Sequence, residues 1–136
     1  MNKLSIIGGA GFIGSYLCNE LDKKNIDFEI LDLKKSKSYP SKSKITDIRD
    51  RESLFNHITG NMIIHLAAVH TDNINNYDAY HQTNVSGTKN IIDVAKEKSI
   101  NKIIFTSSVV VYGDACINSG EDAVITPNNY YGISKY

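Results

Sequence analysis

The chain has 136 residues, 41% hydrophobic and 22% charged, with 15 basic and 15 acidic side chains. That length suits one domain over residues 1–136, and the composition fits a soluble folded protein rather than a disordered one. Balanced charge gives no footprint for nucleic acid or an anionic surface, and no apolar run approaches the ~18 residues of a membrane-crossing helix. Leu4 to Ile7 reads as a buried strand, cut by Gly8 and Gly9 too early for a secretion signal. Phe12 to Lys24 follows with helical spacing at Phe12/Ile13, Tyr16/Leu17 and Leu21. Phe28 to Leu31, closed by Asp32, reads as a second strand, and Ser43 to Ile48 as a weaker third. Between them, Lys34 to Lys44 holds five lysines and four serines and reads as an exposed connection. Asp50 suits the N-cap of a short helix carrying Leu54, Phe55 and Ile58. Met62 to Ala67 reads as a fourth strand. From Tyr77 to Ser99 one helical face runs through Tyr77, Tyr80, Asn84, Gly87, Ile91, Val94/Ala95 and Lys98, and Lys102 to Thr106 reads as a fifth strand. Short apolar strands alternating with amphipathic helices predict an α/β fold, a parallel sheet wound on both faces by helices.

The chemistry concentrates at strand ends. Gly8-Gly9-Ala10-Gly11-Phe12-Ile13-Gly14 lies between the first strand and first helix. In that context Gly8 permits the tight turn, Gly11 lets backbone approach a pyrophosphate, and Gly14 lets the helix pack on the strand. The helix start then offers free N–H groups to phosphates. Asp32 ends the second strand about twenty residues later, where a carboxylate accepts hydrogen bonds from ribose hydroxyls. Its charge repels an added 2′-phosphate, so the cofactor expected is NAD rather than NADP. Lys34 and Lys35 are the residues a 2′-phosphate would recruit, although a solvated lysine loop is the plainer reading. Tyr131 and Lys135 are four apart, one helical turn on one face, where an ammonium stabilises a tyrosinate and lowers the phenol's pKa. Such a pair is a general acid/base for a hydroxyl group. Ser108, at the end of the fifth strand, sits where ligands bind in open parallel sheets. Cys18 and Cys116 lack CxxC spacing and read as free, reduced thiols of a cytoplasmic protein. His57 and His81 have no partners at metal-ligand spacing, so no metal is expected. His65 reads as a satisfied core histidine, and His70 as a loop histidine near where substrate should lie.

GGAGFIG, Asp32, DIRD at 47–50, IIHLAA at 63–68, NVSGT at 84–88, FTSSVVVYG at 105–113 and YGISK at 131–135 occur in one order. In that order they resemble the extended short-chain dehydrogenase/reductases, specifically the NAD-dependent epimerase/dehydratase group acting on nucleotide sugars. The resemblance covers essentially the whole chain and implies a Rossmann-type fold. It implies that Gly8, Gly11, Phe12, Ile13, Gly14 and Asp32 bind NAD and that Asp47 and Ile48 flank the adenine. It further implies that Leu66, Ala67 and Ala68 line the cofactor while Asn84 supports the site. Tyr131 would be the acid/base, Ser108 its hydroxyl partner, and Lys135 both its electrostatic helper and a ligand of the nicotinamide ribose. By that resemblance Tyr131 removes a hydroxyl proton while hydride passes to the nicotinamide. The keto-sugar then rotates and takes the hydride back on its opposite face. The implied substrate is a UDP-sugar, and the resemblance allows a homodimer.

The chain departs from the family in two places. Dehydratases typically carry Thr-Asp-Glu at the catalytic strand end, whereas Ser108-Val109-Val110 offers no acid or base beyond the serine. This favours epimerisation or simple reduction over dehydration. The family also continues past the helix that Tyr131 starts, into further strands and a substrate-binding region. A chain stopping at Tyr136 is therefore expected to be the cofactor-binding portion, inactive alone, with a last helix that frays unless something packs on it. A non-catalytic remnant, or a half completed by a separate chain, are the alternatives.

Overall fold

The computed structural model describes residues 3–70, 77–114 and 119–136, so the expectation for Cys116 lies outside the described residues. Chain order runs β1 (Leu4–Ile7), α1 (Phe12–Lys23), β2 (Phe28–Asp32), β3 (Ser43–Ile45), α2 (Arg51–His57) and β4 (Met62–His65). A long helical segment follows, made of α3 (Tyr77–Tyr80), a π-helical turn (His81–Ser86) and α4 (Gly87–Glu97). Then come β5 (Ile103–Phe105), a 3-10 turn (Val109–Tyr112) and α5 (Tyr130–Lys135). All strand pairs are parallel, in the order β3-β2-β1-β4-β5. Successive connections leave β1 and β4 in opposite directions, which opens a crevice at the carboxyl edge between them. This is the Rossmann-like architecture expected.

The pleat explains how short strands build two cores. Side chains alternate across a strand, so Ile6 and Ile30 meet α1 through Cys18 and Leu21, with Phe28 beside them. Ile7, Leu31 and Ile63 point to the other face and pack against Leu54, Ile58, Ile91 and Val94. Asp50 caps α2 as its type suggests, its carboxylate accepting from the Ser53 N–H at 3.0 Å. Cys18 is buried, and desolvation pushes its thiol up to about 11 despite the nearby Lys42 charge, which makes it inert. At the amino end of the sheet Glu29 is buried. It accepts from Ser5 Oγ at 2.7 Å, Lys44 Nζ at 2.8 Å and the Thr59 hydroxyl and N–H.

Several boundaries differ from the sequence reading. β3 stops at Ile45, because after Thr46 N–H bonds the Asp32 carbonyl the chain turns and Ile48 enters the core. β4 stops at His65 and β5 spans only three residues. The long helix is interrupted by its π turn, and Tyr77 is exposed although Tyr80, Asn84, Gly87, Ile91, Val94 and Ala95 are buried. The lysine-rich connection is only partly exposed. Ser36 is buried, Tyr39 meets Phe28 edge-on at 5.3 Å, and the Lys42 ammonium lies 4.0 Å from the Phe28 ring centre. β5 is an edge strand whose Ile103, Ile104 and Phe105 keep 37%, 50% and 41% of their surface open. Among the described residues no helix is long and apolar enough to cross a membrane.

Candidate active site

The crevice at the carboxyl edge is a groove of about 720 Å³. Its floor is the turn after β1. Gly8 adopts a left-handed φ of +85°, and a Cβ there would come within 2.6 Å of the Ala67 backbone nitrogen. Only glycine therefore lets β1 and the exit of β4 close on each other. At Gly14 a Cβ would meet the Gly9 Cα at 2.5 Å, so its absence seats α1 on the turn. Gly11 is different: its φ is ordinary and a Cβ would touch only the Gly8 carbonyl, at 3.2 Å. Gly11 is also the N-cap of α1 and provides no side-chain oxygen to the first-turn amides. Those N–H groups are thus left for another acceptor, and the helix dipole favours an anionic one.

Asp32 stands at the rim. One carboxylate oxygen accepts from the Ala10 N–H at 3.0 Å and the other from the Lys34 N–H at 3.4 Å, which fixes the carboxylate between turn and groove. Across from it, Asp47 is clamped by Arg49, whose Nε lies 3.0 Å from both carboxylate oxygens. The guanidinium holds the Asp47 carboxyl below the usual range. Ile48 belongs to the core and only edges the groove. It fits because Gly87 lacks a side chain, where a Cβ would sit 2.6 Å from Ile48 Cγ1. Leu66, Ala67 and Ala68 form the β4 side, small enough to keep the groove open. Phe12 and Ile13 form an exposed apolar wall, Phe12 lying edge-on to Tyr16 at 5.2 Å. Gly8, Gly11, Phe12, Ile13, Gly14, Asp32, Asp47, Ile48, Leu66, Ala67 and Ala68 thus all line one groove. Thr46, Arg49, Val69 and Thr83 also line it and were not singled out. Arg49 was legible, since a cation two residues after Asp47 in DIRD is placed to neutralise it. His70 lines the groove and is exposed.

Asn84 lies behind the groove and joins it to α5. Its Oδ1 accepts from the Val69 N–H at 2.8 Å, and its Nδ2 donates to the Val69 carbonyl at 2.9 Å and to Ser134 Oγ at 2.8 Å. The Ser134 hydroxyl donates to the Tyr131 carbonyl at 2.7 Å. Asn129 caps α5 by accepting from the Gly132 N–H at 2.7 Å. Gly132 lets the helix approach the 3-10 turn, since a Cβ would lie 3.0 Å from the Val110 carbonyl. These contacts supply the packing on which formation of the last helix depended.

Ser108, Tyr131 and Lys135 lie beyond the groove's β4 end and do not line it. Ser108 Oγ accepts from the Val110 N–H at 3.4 Å and caps the 3-10 turn. The Tyr131 ring stands 6.3 Å from that of Tyr80. Lys135 is buried, its carbonyl accepts from Ser107 Oγ at 3.2 Å, and its ammonium sits 4.3 Å from the Phe105 ring centre. Desolvation lowers its pKa. Among the described residues no direct hydrogen bond joins the Ser108, Tyr131 and Lys135 side chains. The residues present fit a dinucleotide: side-chain-free turn, uncapped helix start, rim carboxylate and adjoining cavity.

A model of the NAD dependent epimerase/dehydratase family matches residues 4–136. An Escherichia coli O157:H7 protein named N-acetyl-alpha-D-glucosaminyl-diphospho-ditrans,octacis-undecaprenol 4-epimerase is 37% identical over 134 residues, covering 96% of this chain and 40% of that protein. A putative UDP-glucose 4-epimerase of Methanocaldococcus jannaschii is 36% identical over 146 residues, covering 96% and 47%. The structure of UDP-glucose 4-epimerase from Brucella ovis in complex with NAD superposes with a TM-score of 0.90 at 28% identity, over 99% of this chain and 45% of that one. The chain thus spans less than half the length of these relatives. On the family match over nearly its full length, the chain belongs to the NAD dependent epimerase/dehydratase family.

Proposed function

We propose that this chain is the cofactor-binding portion of an NAD-dependent nucleotide-sugar epimerase. The observation that carries this reading is the single groove that gathers the glycine turn, the helix start and Asp32. NAD, when bound, would accept and return a hydride. The chain's own residues would do the rest. The first-turn amides of α1 would hold the pyrophosphate, Asp32 would accept from the ribose hydroxyls, and the Ala67–Ala68 wall would exclude water. Tyr131 would take the sugar hydroxyl proton and later return it. Lys135 would stabilise the phenolate by its charge, and Ser108 would donate to the same sugar oxygen. All three relatives described above are named as 4-epimerases, two for a UDP-linked and one for a polyprenyl-diphosphate-linked sugar. Val109 and Val110 next to Ser108 disfavour the dehydratase reading.

Gly11 provides the test, because a side chain there fills the phosphate cradle and meets, within 4 Å, only the Gly8 carbonyl, at a tight 3.2 Å. Calorimetric titration of NAD into the chain should show saturable binding, and Gly11→Val should lose at least about tenfold in affinity, about 1.4 kcal/mol. Its melting temperature should stay within a few degrees of the parent. Equal NAD binding by the variant, or none by the parent, would contradict the reading.

A further inference from the structure

We propose that Asn90 is the positioning residue for the base-binding end of the groove, holding through its side-chain amide the turn that carries Asp47 and Arg49. Asp47, Ile48 and Arg49 line the groove just after the chain leaves β3. The turn belongs to neither β3 nor α2, so its shape depends on what grips it. Within it, the Arg49 N–H donates to Asp47 Oδ1 at 2.9 Å and the Asp50 N–H to the Asp47 carbonyl at 3.0 Å. From behind, α4 grips it twice. Gly87 leaves room for Ile48, and about one turn further on the half-buried Asn90 reaches the backbone. Its Nδ2 donates to the Ile48 carbonyl at 3.0 Å and to the Arg49 carbonyl at 3.2 Å. An amide NH2 has two protons, and two consecutive carbonyls take them. Among the described residues no backbone N–H donates to either carbonyl. The same helical segment holds Val69, past the end of β4, through Asn84. Two asparagines thus fix the β3 and β4 sides of the groove from one support.

The consequence for binding rests on the proposed function, in which Asp47 and Ile48 flank the adenine. Three donors of Arg49, its backbone N–H, Nε and Nη2, use three of the roughly four acceptor sites of the Asp47 carboxylate. The remaining site accepts a ligand's amino group and repels a ligand's carbonyl. Where that site points is set by the turn, and the turn is set by Asn90. Asn90 therefore acts through Asp47 and does not line the groove.

The first arm of the test reads the ligand-free chain. Asn90→Ala removes both donors, and alanine suits a helix interior, so α4 should stay intact. Amide exchange at Arg49 and Asp50 should quicken about tenfold, with Ile6 and Ile7 in β1 unchanged. Asn90→Leu, similar in shape but without donors, should behave alike, which separates lost hydrogen bonds from lost volume. The second arm compares NAD with nicotinamide hypoxanthine dinucleotide, which has a carbonyl in place of the adenine amino group. The parent should prefer NAD by at least about tenfold, and Asn90→Ala should bring the two affinities within about threefold. A merely structural role would weaken both dinucleotides alike. Unchanged exchange at Arg49 and Asp50, or an unchanged preference in the variant, would overturn the proposal. A parent that binds neither dinucleotide contradicts the proposed function, and the exchange arm then decides whether Asn90 holds the turn. Should both variants fail to fold, the parent decides. Its Asn90 side-chain amide should show scalar coupling across the hydrogen bonds to the Ile48 and Arg49 carbonyl carbons, and rapid exchange of those amide protons with water would overturn it.

Discussion

Glu29 shows how much one side chain settles at this scale. Burial alone would raise its carboxyl, yet hydrogen bonds from Lys44, Ser5 and Thr59 outweigh burial and hold it near about 2. Its folded value lies below the unfolded one, so its stabilisation is complete above about pH 4.5 and fades as pH falls toward 2. Glu29→Gln leaves the Lys44 ammonium without its counter-charge and should cost about 3 kcal/mol, read by urea denaturation at pH 7. The gap between variant and parent should narrow as pH falls below 4.5; a gap independent of pH would count against the carboxylate's role. At the rim, Asp32 sets the expected cofactor preference. NAD should bind at least about tenfold more tightly than NADP, and Asp32→Ser should narrow that ratio. Tighter NADP binding by the parent would show that Lys34 and Lys35, not Asp32, govern the rim.

At the level of elements, the link between groove and α5 passes through one amide. Asn84→Ala strips partners from the Val69 backbone and from Ser134 and should cost about 2–3 kcal/mol. Hydrogen exchange should then show α5 amides losing protection before those of β1 and β4. Uniform loss of protection across the fold would contradict a local tether. Asn84 was legible as part of the NVSGT motif, but the π turn that carries it was not. Helical periodicity reads the same whether a turn holds one more residue or not. The buried runs of β1, β2 and β4 and the Asp50 cap were legible because burial and capping leave a local pattern. The early end of β3 was not, because Ile48 fits only against Gly87, a residue 39 positions on. His65 was read as a satisfied core residue; it is buried with Nε2 2.9 Å from the Thr88 hydroxyl, but Nδ1 has no partner among the described residues.

For the whole molecule, the sheet brings together residues from the ends of β1, β2, β3 and β4 that no local pattern joins. The groove follows from strand order, since the reversal between β1 and β4 leaves their carboxyl ends uncovered. At the far side, β5 leaves an open apolar edge, the feature least like a finished sheet. Ser108, Tyr131 and Lys135 sit on that side, and Asn84 ties α5 to the groove through Ser134 and Val69. The central claim is that the groove takes NAD, and an amide 15N–1H spectrum followed through an NAD titration tests it most directly. The account predicts saturable shifts at Phe12, Ile13, Gly14, Leu33, Ala67 and Ala68, with Thr59 and Gly60 beside Glu29 unmoved. No shifts at millimolar NAD, or shifts centred away from the glycine turn, would contradict it.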